Sequence, residues 1–375
     1  MVLQSGKDYD RSMNILIDIG HPGHVHLLKN VYRQLVEKGH RVIVTVKDIP
    51  VALNLLRHYG MEYINLGKKD DSLVQKAWNQ LSYNYKLIRL INKYKIDLGV
   101  GSSISLAQVS SLSRMKSIIL DDDDDEVQPY FVRFAHPFAD TLLSPDCLLN
   151  HRKKKSTLYY SGYHELAYLH PNHFTPDPNV LSELGLTRES PFFVIRFNVF
   201  KAHHDAGIKG ISRAQKMQLI NLLKPQGKIF ITTERDIDPE LREYQFPISP
   251  EKMHSVLYYA KMFIGDSQTM TSEAAVLGTP SIRCNSFANR ISYLREQEYR
   301  YGLTYAYTPE NFGGMLEKVK TLLSHNHLDQ QWQKRRKKML QDKINVSDFF
   351  AWFIENYNHS IRVMRNNPDH QLNFI

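Results

Sequence analysis

The sequence predicts an α/β protein built from two doubly wound halves in tandem, and three observations carry that expectation. Its 375 residues amount to more than two folding units of ~150 residues each. From Asn14 onward, short apolar runs alternate with amphipathic helical stretches. The alternation lapses near the middle of the chain and then restarts.

In order, NILIDIG from Asn14 reads as a strand. The following helix carries Val25, Leu28, Tyr32 and Leu35 on one stripe, and RVIVTVK from Arg41 is the second strand. That βαβ unit requires parallel pairing. A helix from Val51, the strand MEYINLG, a long helix ending near Lys95, and strands at IDLGVGSS, SIIL and ADTLLSP complete the first half. After a stretch rich in His, Pro, Lys and Tyr come the strand PFFVIRF, a helix from Ser212, and the strand KIFITTE. The helix PEKMHSVLYYAK, the strand MFIGDS, the helix MTSEAAVLG and the strand PSIRCN follow. A closing helix with an aromatic face at Phe349, Phe350, Trp352 and Phe353 is expected to start at Ser347 as cap and to pack on the body.

Composition bounds the function. With 42% hydrophobic and 23% charged residues, disordered, collagenous and coiled-coil classes are excluded. Cys147 and Cys284 are too few for a disulfide framework or a thiolate zinc site, which fits a reducing compartment. No apolar run approaches the ~18 residues that span a bilayer, and residues 1–12 read as a polar, disordered lead-in. A net charge of +9 suits an anionic partner: nucleic acid, an acidic membrane surface or a phosphorylated ligand. Its densest basic runs are residues 334–338 and 152–155. They read as solvated faces, as a contact for anionic lipid, or, less favoured, as a nucleic-acid surface.

Ligands of open α/β sheets bind beyond the carboxyl ends of strands. After the first strand come Gly20, His21, Pro22, Gly23 and His24. This is either an ordinary turn or a place where backbone approaches a ligand beside a helix N-terminus. Gly101 lies in a similar but weaker turn. Beyond SIIL stand Asp121, Asp122, Asp123, Asp124, Asp125 and Glu126. They form a solvated acidic loop, or one or two of them point into the crevice as metal ligands bridging a diphosphate or as acid–base groups, crowding raising one carboxyl pKa into the working range, with Glu126 the choice. Arg196 ends an apolar strand and must meet an anion or a carboxylate, while His204 and Asp205 follow in the next loop. Most informative are Asp266, Ser267, Thr269, Thr271 and Glu273 after MFIG. They are plain helix caps, or a helix start offering N–H groups to a diphosphate with Glu273 taking the ribose hydroxyls.

Asp266-Ser267, Glu273 six residues later, and Leu277-Gly278-Thr279-Pro280 resemble the nucleotide-sugar site of GT-B glycosyltransferases and of the non-hydrolysing UDP-N-acetylglucosamine 2-epimerases. That likeness implies that Ser267 and Glu273 contact the nucleotide and that the helix bearing His254 lies beside the base. From Met13 the chain also resembles a prokaryotic GT-B-like family of unknown function. That second resemblance rests on residues 20–26, Arg196, His204-Asp205 and residues 265–274. Gly20-His21-Pro22-Gly23-His24, Ser267-Gln268-Thr269 and His203-His204-Asp205 depart from the epimerase motifs Gly-Thr-Arg-Pro-Glu, Ser-Gly-Gly and His-Arg-x-Glu-Asn.

The resemblance implies two Rossmann-like domains facing each other across a cleft. Residues 13–165 form the acceptor side, 166–190 a linker, 191–345 the nucleotide-sugar side, and 346–375 a closing helix and tail. The implied activity is metal-independent transfer from a UDP-linked sugar to a glycan or lipid-linked glycan, in surface polysaccharide or glycolipid synthesis. No further cofactor is expected, and the setting is the cytoplasm or the inner face of the membrane. His24, Glu126 and His204 are the expected catalytic groups. Gly20, His21, Gly23, Arg196, Asp205, His254, Asp266, Ser267, Thr269, Thr271 and Glu273 are the expected binding groups. Sugar-nucleotide epimerisation is the alternative, and a non-catalytic polyanion or nucleic-acid binder is a third.

Overall fold

The structure is a computed structural model and describes residues 12–68, 73–197, 211–233 and 239–375. The chain divides into two compact units: residues 1–168 with 344–375, and residues 169–343.

In the first unit, β1 (Asn14–Ile19), β2 (Arg41–Asp48), β3 (Tyr63–Lys68), β4 (Leu98–Gly101), β5 (Lys116–Leu120), β6 (Thr141–Pro145) and β7 (Leu158–Tyr160) form one sheet. Their order is β3-β2-β1-β4-β5-β6-β7, and every pair is parallel. Five of the six residues of β1 are buried, because a parallel sheet is covered on both faces and its strands are apolar throughout. On one face, Leu16, Ile119 and Leu142 of the strands meet Leu87, Leu106 and Ala135. Those three come from helices Leu73–Tyr94 and Ile104–Ser111 and from the segment 129–138 that carries helix Pro129–Phe134.

The second unit contains β8 (Phe192–Arg196), β9 (Lys228–Thr232), β10 (Met262–Gly265), β11 (Ser281–Cys284) and β12 (Thr304–Tyr307). They are parallel in the order β12-β11-β10-β8-β9. Helix Gln268–Leu277 follows β10, capped by Ser267, whose side chain accepts from the Met270 N–H at 3.3 Å. Gly278 ends it at φ 76°, a conformation that glycine adopts without steric cost. Gln333 and Arg336 on helix Leu328–Asp342 then donate to the Leu277, Gly278 and Val276 carbonyls left open at that end.

Three expectations change. Residues 166–190 are not a bare linker: helices Leu166–Leu169 and Asn179–Glu183 lie there with Leu166, Ala167, Val180 and Leu181 buried. The closing helix is two helices, Val346–Glu355 and Tyr357–Asn366, divided at Asn356, whose side chain donates to the Trp352 carbonyl. Its cap is Asn345 rather than Ser347, because the Ser347 hydroxyl is buried against the Ala167 carbonyl. Phe349, Phe350 and Phe353 are buried, and the Trp352 ring lies against His370 with centroids 4.8 Å apart. These two helices are therefore part of the first unit's core, and Val346–Glu355 packs on helix Pro22–Glu37.

Candidate functional site

Doubly wound sheets open a crevice where successive connections leave in opposite directions. In the first unit that place is between β1 and β4. Gly101 of β4 sits opposite Asp18, and a Cβ on it would lie 2.7 Å from the Asp18 carbonyl oxygen. Only glycine allows the two strand ends to run so close. Asp18 is buried and accepts from Thr45 Oγ1 at 2.8 Å and Tyr83 OH at 3.0 Å; burial, then the charge and hydrogen bond of Asp18, push the Tyr83 phenol pKa upward.

The histidine turn follows β1 directly. His21 caps helix Pro22–Glu37, its Nδ1 accepting from the Gly23 N–H at 3.1 Å. His24 Nδ1 accepts from the Gly20 N–H at 3.3 Å. Both glycines thus hold the histidines through backbone donors. An N–H can only donate, so each neutral ring carries its proton on Nε2. Burial, with the neighbouring His21 and His164, lowers the His24 pKa to about 3, which keeps that ring uncharged at neutral pH. The ring centroids of His21 and His24 are 6.0 Å apart. Two Nε2–H donors suit holding a substrate oxygen better than taking a proton.

The acidic run beyond β5 is not one solvated loop. Asp121 and Asp125 are buried around Arg152, whose Nη1 lies 3.0 Å from Asp121 Oδ2 and 2.7 Å from Asp125 Oδ1. Asp121 also meets His136 Nε2 at 2.8 Å, and Arg152 Nε donates to Ser144 Oγ at 3.1 Å. Glu126, the carboxyl singled out from sequence, is exposed. The groups in a position to do acid–base work are Asp122, Asp123 and His164, which the sequence reading did not select. Asp122 Oδ2 is 3.1 Å from His164 Nδ1. Burial opposes ionisation of Asp122, yet the charge and hydrogen bond of His164, helped by Arg152, hold it below the usual carboxylate range. His164 Nε2 is buried with no hydrogen-bond partner among the described residues. The Asp123 carboxyl is driven well above the usual range by burial and by the charges of Asp122 and Asp121.

That shift carries a stability prediction. Between the ordinary carboxylate pKa and the raised native one, the folded chain binds more protons than the unfolded chain, so stability falls as pH rises. Asp123→Asn removes this loss. The variant is expected to melt about 2 °C or more above the parent at neutral pH, with the gap closing as pH falls toward the unfolded carboxylate value. Thermal melts at several pH values check it, and a gap independent of pH refutes it.

In the second unit the corresponding place lies between β8 and β10. Here Gly265 sits opposite Arg196, and a Cβ on it would come within 2.5 Å of the Arg196 carbonyl oxygen. Arg196 is half-buried and its Nη1 donates to Thr232 Oγ1 at 3.1 Å. Ser267 is half-buried at the helix start and Thr269 is exposed. Thr271 is buried, its hydroxyl donating to the Ser267 carbonyl at 2.6 Å. Asp266 is buried with its carbonyl accepting from Asn285 Nδ2 at 2.8 Å. Glu273 is buried one turn further in, its Oε1 3.0 Å from His254 Nε2. His204 and Asp205 lie outside the described residues.

Four residues of the two basic runs are engaged inside the fold, while Lys153 and Lys155 are exposed. Arg152 is buried, and Lys154 donates to the His136 and Ala139 carbonyls at 2.7 and 2.6 Å. Arg335 donates to the Gly302 carbonyl and lies over the Trp332 ring at 4.2 Å, while Arg336 serves Val276. Lys334, Lys337 and Lys338 remain exposed. Among the described residues no group of three or more His, Cys, Asp or Glu side chains is arranged to hold a metal ion. No helix among them is long and apolar enough to cross a membrane.

Two parallel, doubly wound units, each with a tight glycine at its reversal point, make this an α/β protein of the GT-B fold. The chain belongs to the family described as protein of unknown function (DUF354), which it matches over residues 13–295. The uncharacterized protein MJ0665 of Methanocaldococcus jannaschii is 23% identical over 288 residues, covering 73% of this chain and 82% of that protein. MnaA of S. aureus, solved with UDP, superposes at a TM-score of 0.66 with 12% identity over 93% of this chain and 98% of its own. For a UDP-N-acetylglucosamine 2-epimerase the TM-score is 0.61 with 13% identity, over 88% and 95% of the two chains. SsfS6, a glycosyltransferase of Streptomyces sp. SF2575, gives 0.58 with 12% identity over 92% and 100%. At such identities the likeness is one of fold.

Proposed function

We propose that this chain transfers a sugar from a UDP-linked donor to a hydroxyl acceptor. The observation that carries the reading is the Asp122–His164 pair. A carboxylate on Nδ1 fixes the tautomer that leaves Nε2 as the proton acceptor, and that Nε2 is otherwise unpartnered among the described residues. His164 Nε2 takes the acceptor proton as the acceptor oxygen bonds to the anomeric carbon. The bond from that carbon to the diphosphate breaks, and UDP departs with the electron pair. His21 and His24 hold an oxygen through Nε2–H. In the second unit, the helix start at Ser267, with Thr269 on its first turn, and Arg196 would meet the diphosphate charge, and Glu273, steadied by His254, would take the ribose. No metal enters this scheme, so activity should survive a chelator. Support comes from the company the fold keeps: MnaA was solved with UDP, and the rhamnosyltransferase SpnG, with a TM-score of 0.56, was solved with spinosyn aglycone. A cytoplasmic site of action, with a glycan or lipid-linked glycan as acceptor, completes the proposal.

Glu273→Gln is expected to weaken UDP binding by about 1–3 kcal/mol, the scale for losing a charged hydrogen-bonding group. Titration with labelled UDP measures it, and equal affinity in variant and parent removes Glu273 from the donor site. A second reading, epimerisation of the donor itself, is favoured by Asp123, whose carboxyl burial and the charges of Asp122 and Asp121 drive well above the usual range, in the direction that suits the acid such a step needs. Incubation with UDP-N-acetylglucosamine and no acceptor separates the two, since only an epimerase forms the 2-epimer.

A further inference from the structure

Twelve large hydrophobic side chains are exposed among the described residues, and six of them fall on three adjoining elements of the first unit. Leu81 and Tyr85, each 62% exposed, stand one turn apart on helix Leu73–Tyr94. Leu112, 70% exposed, follows helix Ile104–Ser111. Tyr130, Phe134 and Phe138 all project from the 129–138 segment.

Hydrogen bonds show that the three elements touch. Asn84 Nδ2 donates to Gln108 Oε1 at 2.9 Å, and Gln108 Nε2 to the Phe134 carbonyl at 3.4 Å. Ser110 Oγ donates to the Phe138 carbonyl at 3.4 Å. The inner sides of the same elements already supply Leu87, Leu106 and Ala135 to the core, so the six outer side chains add apolar surface where folding did not require it.

Charge narrows the occupant. None of the three elements contains an Asp or Glu. Arg89 and Arg133 are exposed on them, with guanidinium carbons 5.9 Å from the Tyr85 ring and 5.7 Å from the Phe134 ring. Arg114 is exposed two residues beyond Leu112. Aromatic rings that insert at headgroup depth, with arginines beside them to meet phosphates, are the chemistry of a protein resting on anionic lipid. A second copy of the chain fits poorly. A two-fold contact through this face would set the arginines against their own copies with no acid between them.

We infer that this face of the first unit docks on an anionic lipid surface. It is a different surface from the basic runs at 152–155 and 334–338, whose arginines are turned into the fold. The inference does not depend on the reaction catalysed.

Co-sedimentation of the full chain tests it, using vesicles of phosphatidylcholine alone and of phosphatidylcholine with phosphatidylglycerol. The expected result is pelleting with the second and not the first, weakened by salt. Tyr130→Ser combined with Phe134→Ser should lower the vesicle partition by about tenfold or more, and Arg133→Glu should act in the same direction. All three positions are exposed, so melting temperatures should match the parent. No pelleting on anionic vesicles overturns the inference, as does pelleting unaffected by the double substitution. Dimerisation that the double substitution abolishes, without vesicle binding, gives the face to a second copy and overturns it too.

Discussion

Arg152→Met is expected to lower the stability of the first unit by about 3–5 kcal/mol, the scale for removing one partner from a buried ion pair. The side chain is buried and its guanidinium bridges Asp121, Asp125 and Ser144. Without it, two buried carboxylates face each other with His136, the Asp123 N–H, 3.2 Å from Asp121 Oδ1, and the Lys153 N–H, 2.8 Å from Asp125 Oδ2, to compensate. Urea denaturation of parent and variant measures the difference. The loss should shrink at acid pH, where the stranded carboxyls take up protons instead of remaining charged. A loss below about 1 kcal/mol would show that solvent reaches the pair and that its burial does not matter.

His164→Ala is expected to reduce turnover by about 10²–10⁴-fold, the usual contribution of a general base. The donor KM should change little, because His164 belongs to the first unit and the groups assigned to the nucleotide to the second. Release of UDP from whichever UDP-sugar supports turnover is the assay. Asp122→Asn should lower kcat in the same manner, since an amide no longer fixes the Nδ1–H tautomer. If His164→Ala keeps full kcat, His164 is not the base. If it loses labelled-UDP binding as well, its role is structural.

Much of this architecture can be read directly from the chain. NILIDI and MFIG are legible because strands covered on both faces leave nearly continuous apolar runs, broken in the first only by Asn14 and Asp18. β7 and β12 escape notice because they are edge strands of three and four residues, LYY and TYAY, too short to show a period. Missing β7 hides His164, which follows it by four residues and belongs to the strand-end loops that deserve inspection. The acidic run announces that some carboxyl is perturbed, but not which. Arg152 and His164, far along the chain, decide that Asp121 and Asp125 are ion-paired in place and that Asp122 is paired, while burial and the charges of Asp122 and Asp121 drive the Asp123 carboxyl well above the usual range. Glu126, chosen for its nearness to the next element, is exposed. Asn345 and Ser347 are both good caps by residue type, and only the Ala167 carbonyl draws Ser347 inside.

Residues 344–375 complete the first unit although 175 residues of the second are threaded between. On the ribosome, domains ordinarily finish in the order in which they emerge. Here the order is reversed for the final step. The later unit can close while the earlier one still waits for Phe349, Phe350 and Phe353. Through that interval the nascent chain presents the uncovered flank of helix Pro22–Glu37, until helix Val346–Glu355 docks on it.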